Sequence, residues 1–313
     1  MKNDLSRRKF IGSAGAAGLA AALGTAKSQS GSLASAAAVP FRLGGKKTHV
    51  VFVTGDDEYR SEVSMPMIAN VLEAHHEMRT SVLYATEPGG KRNPKYQKNI
   101  PGLEILKKAD LAVFFLRFRA LPDEQIKMIL DYVNSGRPIV GLRTSTHAFR
   151  YPKDHEHRHY NEDFGRDVFG QKWISHEGGR YGTRVLKVLA DHPTMRGVEE
   201  EFYVRSWLYN VIPLHGDCVT SAIGYATDTD TGGPFEQRHP KRNMVGTPNP
   251  VAWTKTYKKS PVFFTTLGHP ADFEASSMRR LLVNGIYWAL GKDIPEAGTN
   301  VDIPGVYTAP EVQ

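Results

Sequence analysis

Four short runs rich in β-branched and aromatic residues, separated by helix-like segments, constrain the fold of this chain more than any other feature. The runs span residues 48–54, 81–85, 110–116 and 138–142. Between them, Ser64 is a suitable N-cap for one helix, and Pro122 opens a second helix that has an apolar stripe. Strands and helices that alternate at this pitch form right-handed βαβ units, so the pattern predicts a parallel sheet covered by helices.

The pattern is looser after Tyr151, where charged loops separate shorter apolar runs. Strands are predicted at residues 184–189, 219–225, 251–256 and 262–267, and Ser276 or Ser277 caps a final helix. We find no internal repeat and no domain boundary in this part of the chain. The sequence therefore predicts one α/β domain over residues 39–300, followed by a C-terminal tail, residues 301–313.

The N-terminal segment resembles an export signal. The motif S-R-R-K-F-I at residues 6–11 precedes a weakly apolar, small-residue stretch that ends near Leu23, as in twin-arginine signal peptides. That stretch is too short to anchor a protein in a bilayer. We therefore predict a signal peptide and linker over residues 1–38, the twin-arginine export machinery as a partner, a periplasmic or otherwise exported location, and no stable membrane span in the mature form.

Charge and cysteine content exclude several classes of function. The chain has a formal net charge of +7, and residues 1–38 contribute five basic residues against one acidic residue, which leaves 7 − 4 = +3 for the rest. This balance does not predict a nucleic-acid partner. The single cysteine, Cys218, allows neither an intrachain disulfide nor a cysteine-based zinc site.

The predicted sheet indicates where a ligand would bind, because open α/β sheets bind ligands beyond the carboxyl ends of their strands. This rule selects the loops at residues 55–60, 117–119, 143–147 and 268–272. The candidate side chains in these loops are Asp57, Glu58, Arg60, Arg117, Arg119, Arg143, His147 and His269. Arginines clustered at one crevice suit carboxylates, phosphates or polyhydroxylated ligands, and the alternative is that they pair with surface acids.

Residues 138–149, P-I-V-G-L-R-T-S-T-H-A-F, resemble the ThuA-like (trehalose-utilisation) family. Further matches are G-D-D-E-Y-R-S-E from residue 55, W-I-S-H from 173, P-V-A-W-T from 250 and R-R-L-L-V-N-G-I-Y-W-A-L-G from 279. The resemblance implies a class I glutamine-amidotransferase-like fold, which is a flavodoxin-like three-layer sandwich with a mostly parallel central sheet. It also implies a role in trehalose or keto-disaccharide metabolism.

The position after the fourth strand argues against amidotransferase activity. In amidotransferases this strand leads into a G-x-C-x-G nucleophile elbow, and here Arg143 occupies the place of the cysteine. An arginine cannot act as a nucleophile, so glutamine hydrolysis is not expected. Ser145 and His147 are neighbours in sequence, but a serine hydrolase also needs an exposed elbow and an orienting acid.

The first hypothesis is an exported enzyme that acts on an oxidised sugar by acid/base chemistry. His147 or His269 would be the base, Arg143 and Arg117 would stabilise negative charge on oxygen, and Asp57 or Glu58 would be a second acid/base. The expected ligand is a small-molecule carbohydrate. The predicted substrate-binding residues are Arg60, Arg117, Arg119, His176 and Trp173, and Trp207 and Tyr209 are further stacking candidates.

Two alternatives remain open. The protein could be a non-catalytic carbohydrate-binding or accessory protein, since the nucleophile has been lost. It could also be a hydrolase that depends on a divalent metal, with His147, His176 and His269 as candidate ligands. The H-x-H-x-H run at residues 155–159 could hold a metal only on a strand, and its charged surroundings favour a solvated loop instead.

Overall fold

The structure, a computed structural model, describes residues 47–177, 182–227 and 244–312, and the predicted signal peptide and linker lie outside these ranges. Its strands are β1 His49–Gly55, β2 Arg79–Leu83, β3 Leu111–Leu116, β4 Ile139–Leu142, β5 Ser175–Glu177, β6 Thr183–Lys187, β7 Glu201–Val204, β8 Leu208–Asn210, β9 Val219–Thr227, β10 Met244–Tyr257 and β11 Ser260–Thr265. Its α-helices are α1 Ser61–His75, α2 Asp123–Val133, α3 Tyr160–Asp163 and α4 Ser276–Ala289.

The described strands form one large sheet and one small one. The large sheet has nine strands in the order β2-β1-β3-β4-β11-β10-β9-β6-β7, and β5 pairs with β8 in a separate two-stranded ribbon. Strands β2, β1, β3, β4 and β11 are parallel, and the remaining four continue the sheet in antiparallel fashion. The parallel half has the strand order of flavodoxin-like folds, which confirms the predicted fold class.

Successive residues of the central strands point into two different layers of the core. On β1, Val50 and Phe52 pack with residues of α1 and α4. Val51 and Val53 pack on the opposite face with residues of α2 and the 3-10 turn Leu103–Lys108. Both faces of the parallel strands are therefore covered, which explains why these strands read as continuous apolar runs.

The first helix begins earlier than its sequence predicts. It starts at Ser61 rather than after Ser64, and Arg60 precedes it in the left-handed conformation with φ 52°. The Ser61 hydroxyl accepts hydrogen bonds from the backbone N–H groups of Gly55 and Asp56. These bonds fold the loop after β1 tightly back onto the strand, so the helix starts within the loop that carries the first site candidates.

The other helices largely follow the prediction. Helix α2 buries Ile126, Ile129 and Val133, and Gly136 follows it with φ 83°. Helix α4 begins at Ser276, so its N-cap is Ala275 and neither predicted serine caps it. Across the described ranges, no helix has both the length and the apolar character needed to cross a membrane.

Candidate functional site

The carboxyl ends of the parallel strands bring the predicted loops to one edge of the sheet. Gly55 at the end of β1 pairs with Leu116 at the end of β3, and Leu142 at the end of β4 pairs with Thr265 of β11. The β5–β8 ribbon reaches the same edge, because the loop before β8 contacts the first residue after β4. All ten predicted site residues therefore lie around this edge, on five segments of the chain.

Arg143 directly follows β4 in the left-handed conformation, with φ 42°, which costs about 1 kcal/mol for a residue other than glycine. Its side chain is completely buried. Nη1 donates to the carbonyls of Thr266 (2.9 Å) and Trp207 (3.2 Å), and Nη2 donates to the Tyr59 hydroxyl (2.9 Å). The guanidinium also lies over the rings of Tyr59 and Tyr209, at 4.1 and 4.5 Å. Arg143 can therefore influence a ligand only through the groups that it holds.

His147 lies among aromatic rings on the outer side of Arg143. Its ring centroid is 5.0 Å from that of Phe118 and 5.7 Å from that of Trp173. From Trp173 the ring contacts continue to His176 at 5.9 Å and on to Trp207 at 4.8 Å. We call this set the aromatic cluster; its members are Phe118, His147, Trp173, His176, Trp207 and Tyr209.

The hydrogen bonds around His147 favour one tautomer of its imidazole. The Thr146 hydroxyl donates to the carbonyl of Arg143 (3.1 Å), so it accepts from the Nδ1 of His147 (3.0 Å). The proton is then on Nδ1, and Nε2 keeps its lone pair. Within the described part of the chain, no hydrogen bond to this Nε2 is present.

The surroundings also keep His147 uncharged. Burial, helped by the positive charges of Arg117, Arg143 and Arg150, lowers the pKa of His147 to about 3. Two of these cations share one ring, because the guanidinium carbons of Arg117 and Arg150 lie 4.4 and 3.3 Å from the centroid of Phe118. His147 is therefore a neutral imidazole in a region of positive potential.

His269 shows the opposite proton arrangement. Its Nδ1 accepts a hydrogen bond from the backbone N–H of Ala271 (3.1 Å), where it caps the 3-10 turn Pro270–Glu274. When neutral, this imidazole carries its proton on Nε2. Its ring lies 6.1 Å from that of Tyr59, whose hydroxyl accepts from Arg143. The two predicted bases therefore differ: His147 offers a lone pair, and His269 offers an N–H group.

A second part of the site is a cavity of 620 Å³, which we call the charged pocket. It is lined by Asp57, Glu58, Arg60, Asn93, Pro94, Lys95, Arg117, Glu311 and Val312. Arg117 forms ion pairs with Asp57 (3.4 Å) and Glu58 (2.7 Å), and Arg60 pairs with Glu62 (2.5 Å). Since Arg117 also stacks on Phe118, the charged pocket adjoins the aromatic cluster.

Arg119 shapes this pocket from inside the protein. It is completely buried, and it donates to the carbonyls of Arg117 (2.7 Å), Pro94 (3.0 Å) and Tyr96 (3.0 Å). Burial lowers the pKa of Arg119 to about 10, which leaves it charged at neutral pH. Its donors hold the pocket wall around Pro94, and no surface of its side chain is left for a ligand.

Comparison with known proteins identifies the family. The sequence model of the ThuA family, described as trehalose utilisation, matches residues 49–289. The chain belongs to the ThuA family. A ThuA-like protein from Parabacteroides merdae ATCC 43184 is 18% identical, with a TM-score of 0.53, and the match covers 79% of this chain and 92% of that one. A ThuA-like protein from Bacteroides uniformis ATCC 8492 is 14% identical, with a TM-score of 0.51 and coverage of 81% and 96%. A comparison with curated proteins gives no match.

Neither Ser145 nor Cys218 of this ThuA-family chain provides an exposed nucleophile at the site. Ser145 is completely buried; its hydroxyl donates to the carbonyl of Phe114 (2.8 Å) and accepts from the N–H of Leu116 (3.2 Å). Cys218 precedes β9, which runs parallel to β11, so it lies at the opposite edge of the sheet. Burial raises the pKa of Cys218 to about 11, so its thiol stays protonated at neutral pH.

The proposed metal ligands do not converge. Across the described ranges, His147, His176 and His269 do not form a group whose ligand atoms all lie within 4.8 Å of one another. Asp123, Glu156 and His157 do form such a group, but both carboxylates are exposed and the imidazole is only partly buried. The H-x-H-x-H run folds as the 3-10 turn Glu156–His159 rather than as a strand, so its alternate residues do not share one face.

Sequence reasoning gave no role to Asp56 and Tyr59, two loop residues that organise the site of this ThuA-family protein. Asp56 is completely buried and accepts hydrogen bonds from the Thr144 hydroxyl and from the N–H groups of Glu58 (2.7 Å) and Tyr59 (2.9 Å); burial raises its pKa to about 6. Both residues lie in the loop after β1 that the strand-end rule selects, but only their contacts show what they hold. Tyr209, a predicted stacking candidate, lies on the three-residue strand β8 beside His147 and the guanidinium of Arg143.

Proposed function

We propose that this ThuA-family protein is exported and acts on an oxidised sugar of the trehalose or keto-disaccharide type, by moving a proton next to the sugar carbonyl. Family membership supports the carbohydrate class, and the twin-arginine motif supports export. The observation that carries the chemistry is the neutral imidazole of His147, which has a lone pair on Nε2 and lies between aromatic rings.

In the proposed step, Nε2 of His147 takes the proton from the carbon next to the carbonyl, the C–H electron pair forms the C=C bond of an enolate, and the carbonyl π electrons move onto oxygen. The hydroxyl of Tyr59, which accepts from Arg143, would donate a hydrogen bond to that oxygen. The developing negative charge offsets the field of the arginines, so the basicity of His147 rises as the proton is transferred.

The aromatic rings supply the binding surface in this proposal. Trp173 is 39% exposed, and it forms a continuous aromatic face with His176 and Trp207. The C–H faces of a pyranose ring pack on such surfaces, while its hydroxyl groups can reach the neighbouring charged pocket. Arg117 lines the charged pocket and stacks on Phe118 of the aromatic cluster, so it contributes positive charge beside the bound sugar.

A second candidate function is sugar binding without catalysis. Asp57 and Glu58, the predicted second acid/base, are both ion-paired with Arg117, which favours a structural role for them. The residue after β4 is a buried arginine, and the hydroxyl of Ser145 donates a hydrogen bond to the carbonyl of Phe114 on β3, so neither provides a nucleophile. On this alternative the aromatic cluster binds the sugar, and the protein delivers it to another enzyme.

The experiment that separates the two functions is hydrogen–deuterium exchange of 3-ketotrehalose in D₂O, followed by NMR, together with calorimetric binding. We expect wild type to catalyse exchange next to the carbonyl, His147→Ala to slow it about 100-fold or more while still binding, and the exposed-histidine control His159→Ala to match wild type. Binding without exchange in wild type would favour the accessory function. Absence of binding would refute both.

A further inference from the structure

Residues that follow the region matched by the family model pack against the domain. This terminal segment, residues 300–312, is fixed at its start by two imidazoles at the end of α1. His76 donates to the carbonyl of Asn300 (2.8 Å), and His75 donates to the carbonyl of Asp302 (2.9 Å). The segment is therefore attached to the first helix of the domain.

The terminal segment then runs along the helical layer toward the candidate site. Helix α1 starts at the site edge of the sheet, so His75 lies at the opposite edge. Val301 is only 1% exposed, and the Tyr307 hydroxyl donates to the carbonyl of Pro270 (2.9 Å), which follows β11 at the site edge. Between these contacts the segment crosses the whole layer formed by α1 and α4.

The end of the terminal segment forms part of the charged pocket. Glu311 and Val312 line it together with residues that follow β1 and β3. The pocket holds equal numbers of opposite charges, namely Arg60, Lys95 and Arg117 against Asp57, Glu58 and Glu311. Arg117 is paired with Asp57 and Glu58, whereas Glu311 has no ion-pair partner among the residues that the structure describes.

We infer that the terminal segment is a wall of the ligand site and that Glu311 is a specificity-determining residue for neutral polyhydroxylated ligands. An ionised carboxylate only accepts hydrogen bonds, and a hydroxyl group can donate them. A phosphate or carboxylate group on a sugar would instead meet the negative charge of Glu311, while both arginines of the pocket are already ion-paired and Lys95 alone is left to attract it among the described lining residues. The inference rests on the proposed function, because it assumes that a sugar occupies this edge of the sheet.

The test compares the affinities of 3-ketotrehalose and trehalose 6-phosphate by calorimetry in variants that melt like wild type. We expect Glu311→Gln to weaken binding of the neutral sugar about tenfold, since a hydrogen bond to a charged group is lost. Glu311→Lys should shift the ratio of the two affinities at least tenfold toward the phosphate. Glu104→Gln, which removes an exposed carboxylate outside the pocket, should leave both affinities unchanged.

Deleting residues 306–313 extends the test to the whole wall, and it should weaken neutral-sugar binding at least as much as Glu311→Gln does. If wild type binds the neutral sugar and all the Glu311 variants bind both probes like wild type, the role of the segment is refuted and the proposed function stands. If wild type binds neither probe, the proposed function fails, and this inference fails with it.

Discussion

The aromatic cluster and the charged pocket adjoin at one edge of the sheet, but their polar groups differ in their exposure to water. In the cluster, His147 is largely removed from water and lies beside a completely buried arginine, so burial dominates its pKa. In the pocket, Arg117 and Glu58 form an ion pair whose side chains are 24% and 29% exposed.

This difference suggests that the two regions have different functions. Desolvation and nearby charge perturb titration most strongly where water is excluded, and such places are suited to proton transfer. Balanced, partly exposed charges favour recognition of hydroxyl groups and add little to stability. We therefore assign chemistry to the aromatic cluster and selectivity to the charged pocket.

The largest expected effect compares the buried arginine beside the aromatic cluster with an arginine of the charged pocket. Arg143→Met removes three hydrogen bonds that a charged group donates. The carbonyl groups of Thr266 and Trp207 then lose the donor that Arg143 provided. We expect the free energy of unfolding at pH 7 to fall by about 3–5 kcal/mol, measured by urea denaturation. Arg60→Met, the matched change in the pocket, should cost less than about 1 kcal/mol. Equal losses would remove the distinction between the two regions.

Stability should also depend on pH through buried imidazoles. The pKa of His147 is about 3 and that of His192 is about 4, both lowered by burial. Below pH 6.5 the unfolded chain binds more protons at these sites than the folded protein does. The contribution of these imidazoles to the free energy of unfolding is therefore complete above pH 6.5 and is lost as the pH falls toward their folded-state pKa values. At pH 4 the loss is roughly 3 kcal/mol for each imidazole.

Substitution of His147 isolates the share of this pH-dependent loss of stability that comes from the aromatic cluster. His147→Gln should reduce the loss in unfolding free energy between pH 7 and pH 4 by roughly 3 kcal/mol, measured by urea denaturation at each pH. Asp56 acts in the opposite direction, because its raised pKa of about 6 gives a contribution that is complete below about pH 3.8 and is lost as the pH rises through 6. An unchanged pH profile in His147→Gln would show that this imidazole is not desolvated.

A smaller effect is expected at the aromatic binding surface. Trp207→Ala should weaken binding of 3-ketotrehalose about tenfold, or ~1.4 kcal/mol, because one ring of the cluster is lost. Trp207→Phe should restore most of the affinity, since it keeps an aromatic face. The ratio of affinities for neutral and anionic sugars should stay constant in both variants. A change in that ratio would assign selectivity to the cluster and contradict the division proposed here.

The smallest expected effect is the coupling between Arg117 and Glu58. A double-mutant cycle with Arg117→Gln and Glu58→Gln should give an interaction energy of about 0.2–1 kcal/mol in urea denaturation, because water reaches both side chains. A coupling above about 2 kcal/mol would indicate that the pocket is as desolvated as the aromatic cluster.

The fold was predictable where the signals are local. Long apolar runs identified β1, β3 and β4, and turn residues marked the ends of α2 and α4. Strands β5, β7 and β8 have only three or four residues, and their pairing depends on partners distant in the chain, so no periodic pattern reveals them. The early start of α1 depends on the hydroxyl of Ser61, which local propensity does not capture.

The site was predictable as a set of loops but not as a set of roles. The strand-end rule selected both Arg119 and Arg143, and only the contacts show that one holds the loop around Pro94 while the other supports Tyr59. The proton positions of His147 and His269 likewise depend on neighbouring hydroxyl and amide groups. Glu311 lies far along the chain from the loops that it joins, and nothing near it in sequence marks it as part of a site.

The position of Glu311 and Val312 also determines when the pocket can exist. During synthesis the parallel strands and helices emerge from the ribosome before these two residues do, so a nascent chain carries the aromatic cluster without the last wall of the pocket. A sugar that needs this wall cannot bind and stabilise partly synthesised chains, and its stabilising effect begins only with the completed domain.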